Sequence, residues 1–286
     1  MTWAAGLTAV IAYPLVDRAI RLGTLNSMTD AMVFVVLALG LNIVVGYAGL
    51  LDLGYAAFFA IGAYTTGILT SPQHDLEWNF WLVIWICAAV ASIFGIILGS
   101  PTLRLRGDYL AIVPLGFGEI VPIAIRNLDS ITIPFLGLYD FNLTNGVQGL
   151  NPVGRPALFG FEFEFDPLPW YFLILFIGAL AIFASRRLEN SRMGRSWMAI
   201  REDETAADCM GVDPIRTKLL AFALGASFSG FAGAFYAAKL QAIFPELFKF
   251  QVSIMILCMV ILGGMGNIRG VVIGGLLITF FDRVIL

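Results

Sequence analysis

Apolar runs long enough to cross a bilayer recur along nearly the whole chain, and they limit its fold more than any other feature. As a helix, a run of roughly 17–25 apolar residues matches the hydrocarbon thickness. Runs near 29–48, 54–70, 79–99, 108–126, 169–185, 216–240, 250–265 and 268–286 fit, and a shorter one at 3–16 is interrupted by Pro14. Lipid offers no hydrogen bonds, so each run must satisfy its own backbone and become helical. The chain is 59% hydrophobic and only 13% charged, where a soluble domain is about one-quarter charged. Too little polar surface remains for a soluble fold. The expectation is an all-α polytopic membrane protein, a bundle of about eight or nine transmembrane helices in a single domain over residues 1–286.

Loop charges orient that bundle. The hydrophilic segment at about 186–215, with its flank to residue 218, holds Arg186, Arg187, Arg192, Arg195, Arg201, Arg216 and Lys218, and the turn 101–108 holds Arg104 and Arg106. Basic loops stay on the cytoplasmic side. The longest loop, about 127–168, sets Asp129, Asp140, Glu162, Glu164 and Asp166 against Arg155 alone and faces outward. Alternating spans connect these anchors consistently, although Arg18 and Arg21 then fall outside. The outer loop is too long for a bare connection and should fold on itself, with a hairpin near Asn142–Gly149. No secretory signal pattern is read at Met1-Thr-Trp.

Small residues recur every four positions in the span 216–240, as Ala221, Gly225, Ser229, Gly233 and Ala237 beside Ala226, Gly230, Ala234 and Ala238. Gly266, Gly270 and Gly274 repeat the device. Such rows let helix backbones touch where lipid supplies no hydrophobic drive. They establish dense packing and carry no transport role by themselves.

Two interruptions are candidate sites. Gly46-Tyr-Ala-Gly49-Leu-Leu-Asp52-Leu-Gly54 is poor helix material between two spans. Broken helices of this kind build substrate sites in transporters, while an ordinary cytoplasmic turn capped by Asp52 explains the same residues. In the span 108–126, Pro114, Gly116 and Gly118 weaken the helix just before Glu119. An intramembrane carboxylate is costly and marks a functional candidate; a structural hydrogen bond is the competing reading. Gly46, Gly49, Asp52, Gly54, Gly116, Gly118 and Glu119 together form the candidate translocation pathway.

Catalysis finds little support. His74, the single histidine, falls in a short outward loop, so Ser227 and Glu119 have no base within a span, and an intramembrane enzyme is disfavoured. No lysine follows a glycine in a phosphate-binding loop, so no nucleotide site is expected. Cys87, Cys209 and Cys258 show neither disulfide nor metal spacing. No basic face suits nucleic acid. A passive channel would leave the charged segment without a purpose.

That segment, Gly194-Arg-Ser-Trp-Met-Ala-Ile-Arg-Glu-Asp-Glu-Thr-Ala-Ala-Asp-Cys-Met-Gly211, is compact and helix-prone. Glu202, Asp203 and Glu204 suit the start of a short helix, where the dipole favours negative charge. Ala206 and Ala207 give it a smooth side, Gly211 can close it and Pro214 stops it. A rigid helix projecting from the cytoplasmic face offers a soluble partner something to grip; a solvated connector is the bland alternative.

The run from Gly40 to Tyr64, Arg106-Gly-Asp-Tyr-Leu-Ala-Ile-Val, Gly116-Phe-Gly-Glu-Ile, the segment Gly194–Ala207 and Leu262-Gly-Gly-Met-Gly-Asn267 resemble the permease subunits of branched-chain amino acid ABC importers, in the order of the M-type subunit. The resemblance covers nearly the whole chain. It implies a heteromeric importer in a bacterial or archaeal inner membrane. A second permease subunit would complete the path, two cytoplasmic ABC ATPases would bind the ATP, and a periplasmic binding protein would deliver substrate to the outer loop. This chain would carry no cofactor. Its coupling helix would dock the ATPase through Arg201, Glu202, Asp203, Glu204, Ala206, Ala207 and Gly211. Tyr55, Pro114 and Pro122 depart from the family pattern, which has His, Thr and a basic residue there. Permeases for urea and short-chain amides share these motifs and stand as the alternative.

Overall fold

The computed structural model describes Tyr13, Pro14, Asp17 and residues 24–74, 76–103, 109–129, 131–133, 138–158, 161–163 and 166–281. Most of the expected span at 3–16, together with Arg18, Arg21, Arg104, Arg106 and Glu164, lies outside the described residues.

The described helices are α1 (Leu25–Leu41, continued as a π-helix over Asn42–Tyr47), α2 (Tyr55–Thr70), α3 (Phe80–Thr102), α4 (Tyr109–Arg126), α5 (Pro167–Glu189), α6 (Arg192–Glu202), α7 (Glu204–Cys209), α8 (Pro214–Leu240), α9 (Phe250–Gly263) and α10 (Ile268–Phe280). Five are long and apolar enough to cross a membrane: Leu25–Tyr47, Phe80–Thr102, Pro167–Glu189, Pro214–Leu240 and Pro245–Gly263, the last counting the 3₁₀ turn before α9. Helices α2 and α10 are shorter and apolar. The chain is an all-α polytopic membrane protein. The described strands are two short antiparallel pairs in the loop between α4 and α5, β1 (Ile131–Ile133) with β2 (Leu138–Phe141) and β3 (Ala157–Leu158) with β4 (Phe161–Glu162).

Helix α8 is the axis of the bundle, and the two rows of small residues serve its two sides. A methyl group on Gly225 would lie 2.6 Å from the Val44 side chain of α1, and one on Gly233 would lie 2.6 Å from the Phe59 carbonyl of α2. On the second row, one on Gly230 would lie 2.6 Å from the Cys87 carbonyl of α3. Gly270 likewise brings α10 onto the Gly263 carbonyl of α9. Backbones meet here because nothing larger than hydrogen separates them.

Polar contacts gather at two ends. At the end holding the 127–168 loop, Lys239 pairs with Asp30 at 2.6 Å, Arg126 pairs with Glu246, and Arg155 bonds Gln241 at 2.7 Å. There the loop is pinned to the helices: Leu150 and Ile243 form a β-bridge, Trp81 donates to the Ala157 carbonyl at 2.9 Å, and Gly154 N–H donates to Thr70 Oγ1 at 3.1 Å. The antiparallel pair is Ile131–Ile133 with Leu138–Phe141, upstream of the hairpin expected near Asn142–Gly149. Asn142 instead accepts from Asn145 N–H at 2.7 Å and closes an Asx-type turn into a 3₁₀ turn at Gly146–Gln148. The opposite end holds α6 and α7 with their basic flanks.

Candidate functional site

At the end opposite the 127–168 loop the hydrophilic segment folds as two helices, α6 and α7, rather than the expected one. Ser191 caps α6 by accepting from Gly194 N–H at 3.1 Å. Glu202, expected to open the short helix, is the last residue of α6. Asp203 joins the two: its N–H closes α6 on Ala199, and its carboxylate accepts from Thr205 and Ala206 N–H at 2.8 and 3.0 Å to open α7. The far end of α7 closes as a Schellman turn. Gly211, at φ +84, takes the left-handed conformation, Val212 N–H reaches Ala207 O and Gly211 N–H reaches Asp208 O. Pro214 opens α8 as well as stopping α7, with Asp213 as its cap.

This bent unit is fastened to the bundle at three points. Trp197 is fully buried and donates from Nε1 to Thr217 O at 2.7 Å. Glu204 pairs with the buried Lys218 at 2.6 Å. Arg201 is exposed as a residue, yet its guanidinium reaches the bundle and donates from Nη1 to Gly46 O at 2.5 Å. Ala207 is buried, whereas Glu202, Asp203, Ala206 and Gly211 are exposed. Met210 is 86% exposed, the most exposed large apolar side chain described. The sequence carries no signal for it: at the residue after α7 an outward methionine and a buried one look alike.

The glycine-rich break from Gly46 to Gly54 is a packed junction. Helix α1 widens into a π-helix at Asn42–Tyr47 and ends at Gly49, whose φ of +70 a β-carbon would strain. A Cβ on Gly46 would overlap Asn42 Oδ1 and come within 2.6 Å of Gly266 N. One on Gly54 would overlap the Pro114 carbonyl of α4, and one on Gly118, a turn further along α4, would lie 3.1 Å from Gly54 Cα. Asp52 is buried and accepts from Gly54 N–H at 2.9 Å; its Oδ2 has no hydrogen-bond partner among the described residues. Tyr55 donates to Gly225 O at 2.8 Å, which gives this departure from the family pattern a packing role.

Helix α4 carries the outward set. Ile112, Gly116, Glu119, Ile120 and Ile123 share one face at helical spacing, and Glu119 and the three isoleucines are exposed. A Cβ on Gly116 would meet nothing within 4 Å. Glu119 makes no hydrogen bond among the described residues, so the structural bond read from the sequence is absent there. Arg126, at the end of the same helix, pairs with Glu246 instead. Among the described residues no group of three His, Cys, Asp or Glu side chains could hold a metal.

The chain is similar to permease proteins named for branched-chain amino acid transport. It is 39% identical to the high-affinity branched-chain amino acid transport system permease protein LivM of Escherichia coli, over 96% of this chain and 65% of that protein. It is 26% identical to the probable branched-chain amino acid transport permease protein LivM of Methanocaldococcus jannaschii, over 84% of this chain and 75% of that one. With the Escherichia coli LivH permease it shares 26% identity over 88% and 82%. The chain thus spans about two thirds of the length of the bacterial LivM relatives it matches. No solved structure matches it significantly. The family model described as branched-chain amino acid transport system / permease component matches residues 23–286, and the chain belongs to that family.

Proposed function

We infer that the chain is a permease subunit of an ATP-driven importer for branched-chain, hydrophobic amino acids. It passes substrate from a periplasmic binding protein to the cytoplasm by alternating access, within a bacterial or archaeal inner membrane. The observation that carries this reading is α7: a short helix capped at both ends, fastened to the bundle, and presenting Met210, Ala206, Asp203 and Gly211 outward. A solvated connector has no need of such rigidity, while a helix that receives force from a moving partner does. The partner is a cytoplasmic ABC ATPase, one of two, and ATP binds there rather than on this chain.

The exposed face of α4 supports a second permease subunit. Glu119 on a lipid-facing surface would cost several kcal/mol, so another chain or an aqueous path between the two covers it. Relatives named LivM and LivH are both permease proteins of branched-chain transport, which fits a heterodimer. Gly116 and Glu119 then border the path, while Gly46, Gly49, Gly54, Gly118 and Asp52 hold the helices that frame it.

Uptake of labelled leucine into proteoliposomes holding both permeases, the ATPases and binding protein tests the reading. Competition by isoleucine and valine but not by urea is expected. Competition by urea would move the chain to the urea and amide importers, and uptake without ATP would overturn the reading.

A further inference from the structure

We propose that Arg201 is the positioning residue through which displacement of α7 reaches the transmembrane helices. This rests on the reading of α7 as the ATPase contact. Helices α6 and α7 share Asp203 as the cap of both, so a push on α7 moves the last turn of α6, where Arg201 sits. Trp197 and Glu204 tie the same unit to the first turn of α8. Arg201 reaches the other way, across to α1.

The receiving end is built for a cation. In the π-helical end of α1, Leu50 N–H bonds Val44 O, which leaves the Gly46 carbonyl without its usual helical donor. The negative end of the helix dipole converges on the same point. Arg201 donates to that carbonyl at 2.5 Å, and its aliphatic stem lies along Gly49, where a Cβ would come 2.9 Å from Arg201 Cγ.

The contact extends to a third element. Asn42, one turn before Gly46, accepts from Gly266 N–H at 2.8 Å in the turn between α9 and α10. Gly266 is also beside the guanidinium, 3.4 Å separating Arg201 Nη1 from where a Cβ on Gly266 would be. Residues 46, 201 and 266 therefore meet at one point. A shift of the Arg201 head group displaces the end of α1 and the α9–α10 turn together, while α8 follows through Thr217 and Lys218. A planar guanidinium holds a carbonyl in a fixed direction, which a lysine ammonium on a flexible stem does not.

The test is the number of substrate molecules taken up per ATP hydrolysed in the reconstituted complex, with R201M and R201K against wild type. R201M should still co-purify with the ATPases and show uptake per ATP lowered about tenfold, the scale of one lost charge-assisted hydrogen bond. R201K should show a smaller loss, and it serves alone if R201M does not accumulate in the membrane. A wild-type ratio in either variant overturns the proposal. So does loss of the ATPases from the complex, because Arg201 would then be a docking residue. If loaded binding protein fails to raise ATP hydrolysis in the wild-type complex, the failure belongs to the reading of α7 instead.

Discussion

Lys218 and Glu204 form a 2.6 Å ion pair in which the ammonium is almost enclosed, at 10% side-chain exposure, and the carboxylate is not, at 55%. The asymmetry gives each residue a different consequence. In E204A the ammonium stays buried and loses its partner, at a cost of about 1–2 kcal/mol; the value is below that of a fully buried pair because water screens the carboxylate side. Thermal unfolding in detergent should show the loss, and E204A/K218M should recover most of it. A double variant no better than E204A would mean that the pair does not hold α7 to α8.

Two glycines of α4 and its neighbour should respond oppositely to alanine. A methyl group on Gly54 overlaps the Pro114 carbonyl, backbone that cannot step aside, so G54A should accumulate poorly or melt early. Gly116 faces open space. G116A should fold normally, raise helix propensity by about 1 kcal/mol, and change uptake alone by narrowing the space beside Glu119. Membrane yield and uptake measured side by side separate the two effects.

Replacing Glu119 by glutamine should leave this chain's own stability within about 0.5 kcal/mol, since the side chain is exposed and makes no bond among the described residues. Uptake by the complex should nevertheless fall. Unaltered uptake in E119Q would remove Glu119 from the path.

The spans were legible because their signal is local: hydrocarbon thickness sets the length of an apolar run, and over the described residues each expected span from 29 onward begins and runs with a helix, the last of them described to residue 281. The ends of the short helix were legible for the same reason, as Asp203 and Gly211 act within a few residues of themselves. Long-range pairings were not. Arg201 read as part of an outward charged surface, and only the fold brings Gly46 within its reach, 155 positions away. In sequence Asn42 is one residue of an apolar span, and its partner, Gly266 N–H, lies 224 positions away. The expected hairpin was misplaced because Asn142-Leu-Thr-Asn-Gly carries turn chemistry that either a hairpin or a 3₁₀ turn can use.

Gly211 distinguishes conformational strain from crowding. A Cβ there meets nothing within 4 Å, but the φ of +84 is costly for most side chains, by about 1–2 kcal/mol. Asparagine tolerates that region and valine does not. G211N should therefore keep the ATPases bound, and G211V should release them as the end of α7 opens. Equal retention in pull-downs would show that the Schellman turn is not needed for docking.

Cys209 lies exposed on α7, Cys87 is buried within the bundle and Cys258 sits on an apolar span. With Cys258 replaced by alanine, a membrane-impermeant maleimide reads the position of α7 directly. Labelling of Cys209 in inside-out vesicles, suppressed when the ATPases are assembled on the complex, is the predicted result. Labelling from the outer side, or labelling that the ATPases do not change, would contradict the claim that α7 is where the motor engages this chain.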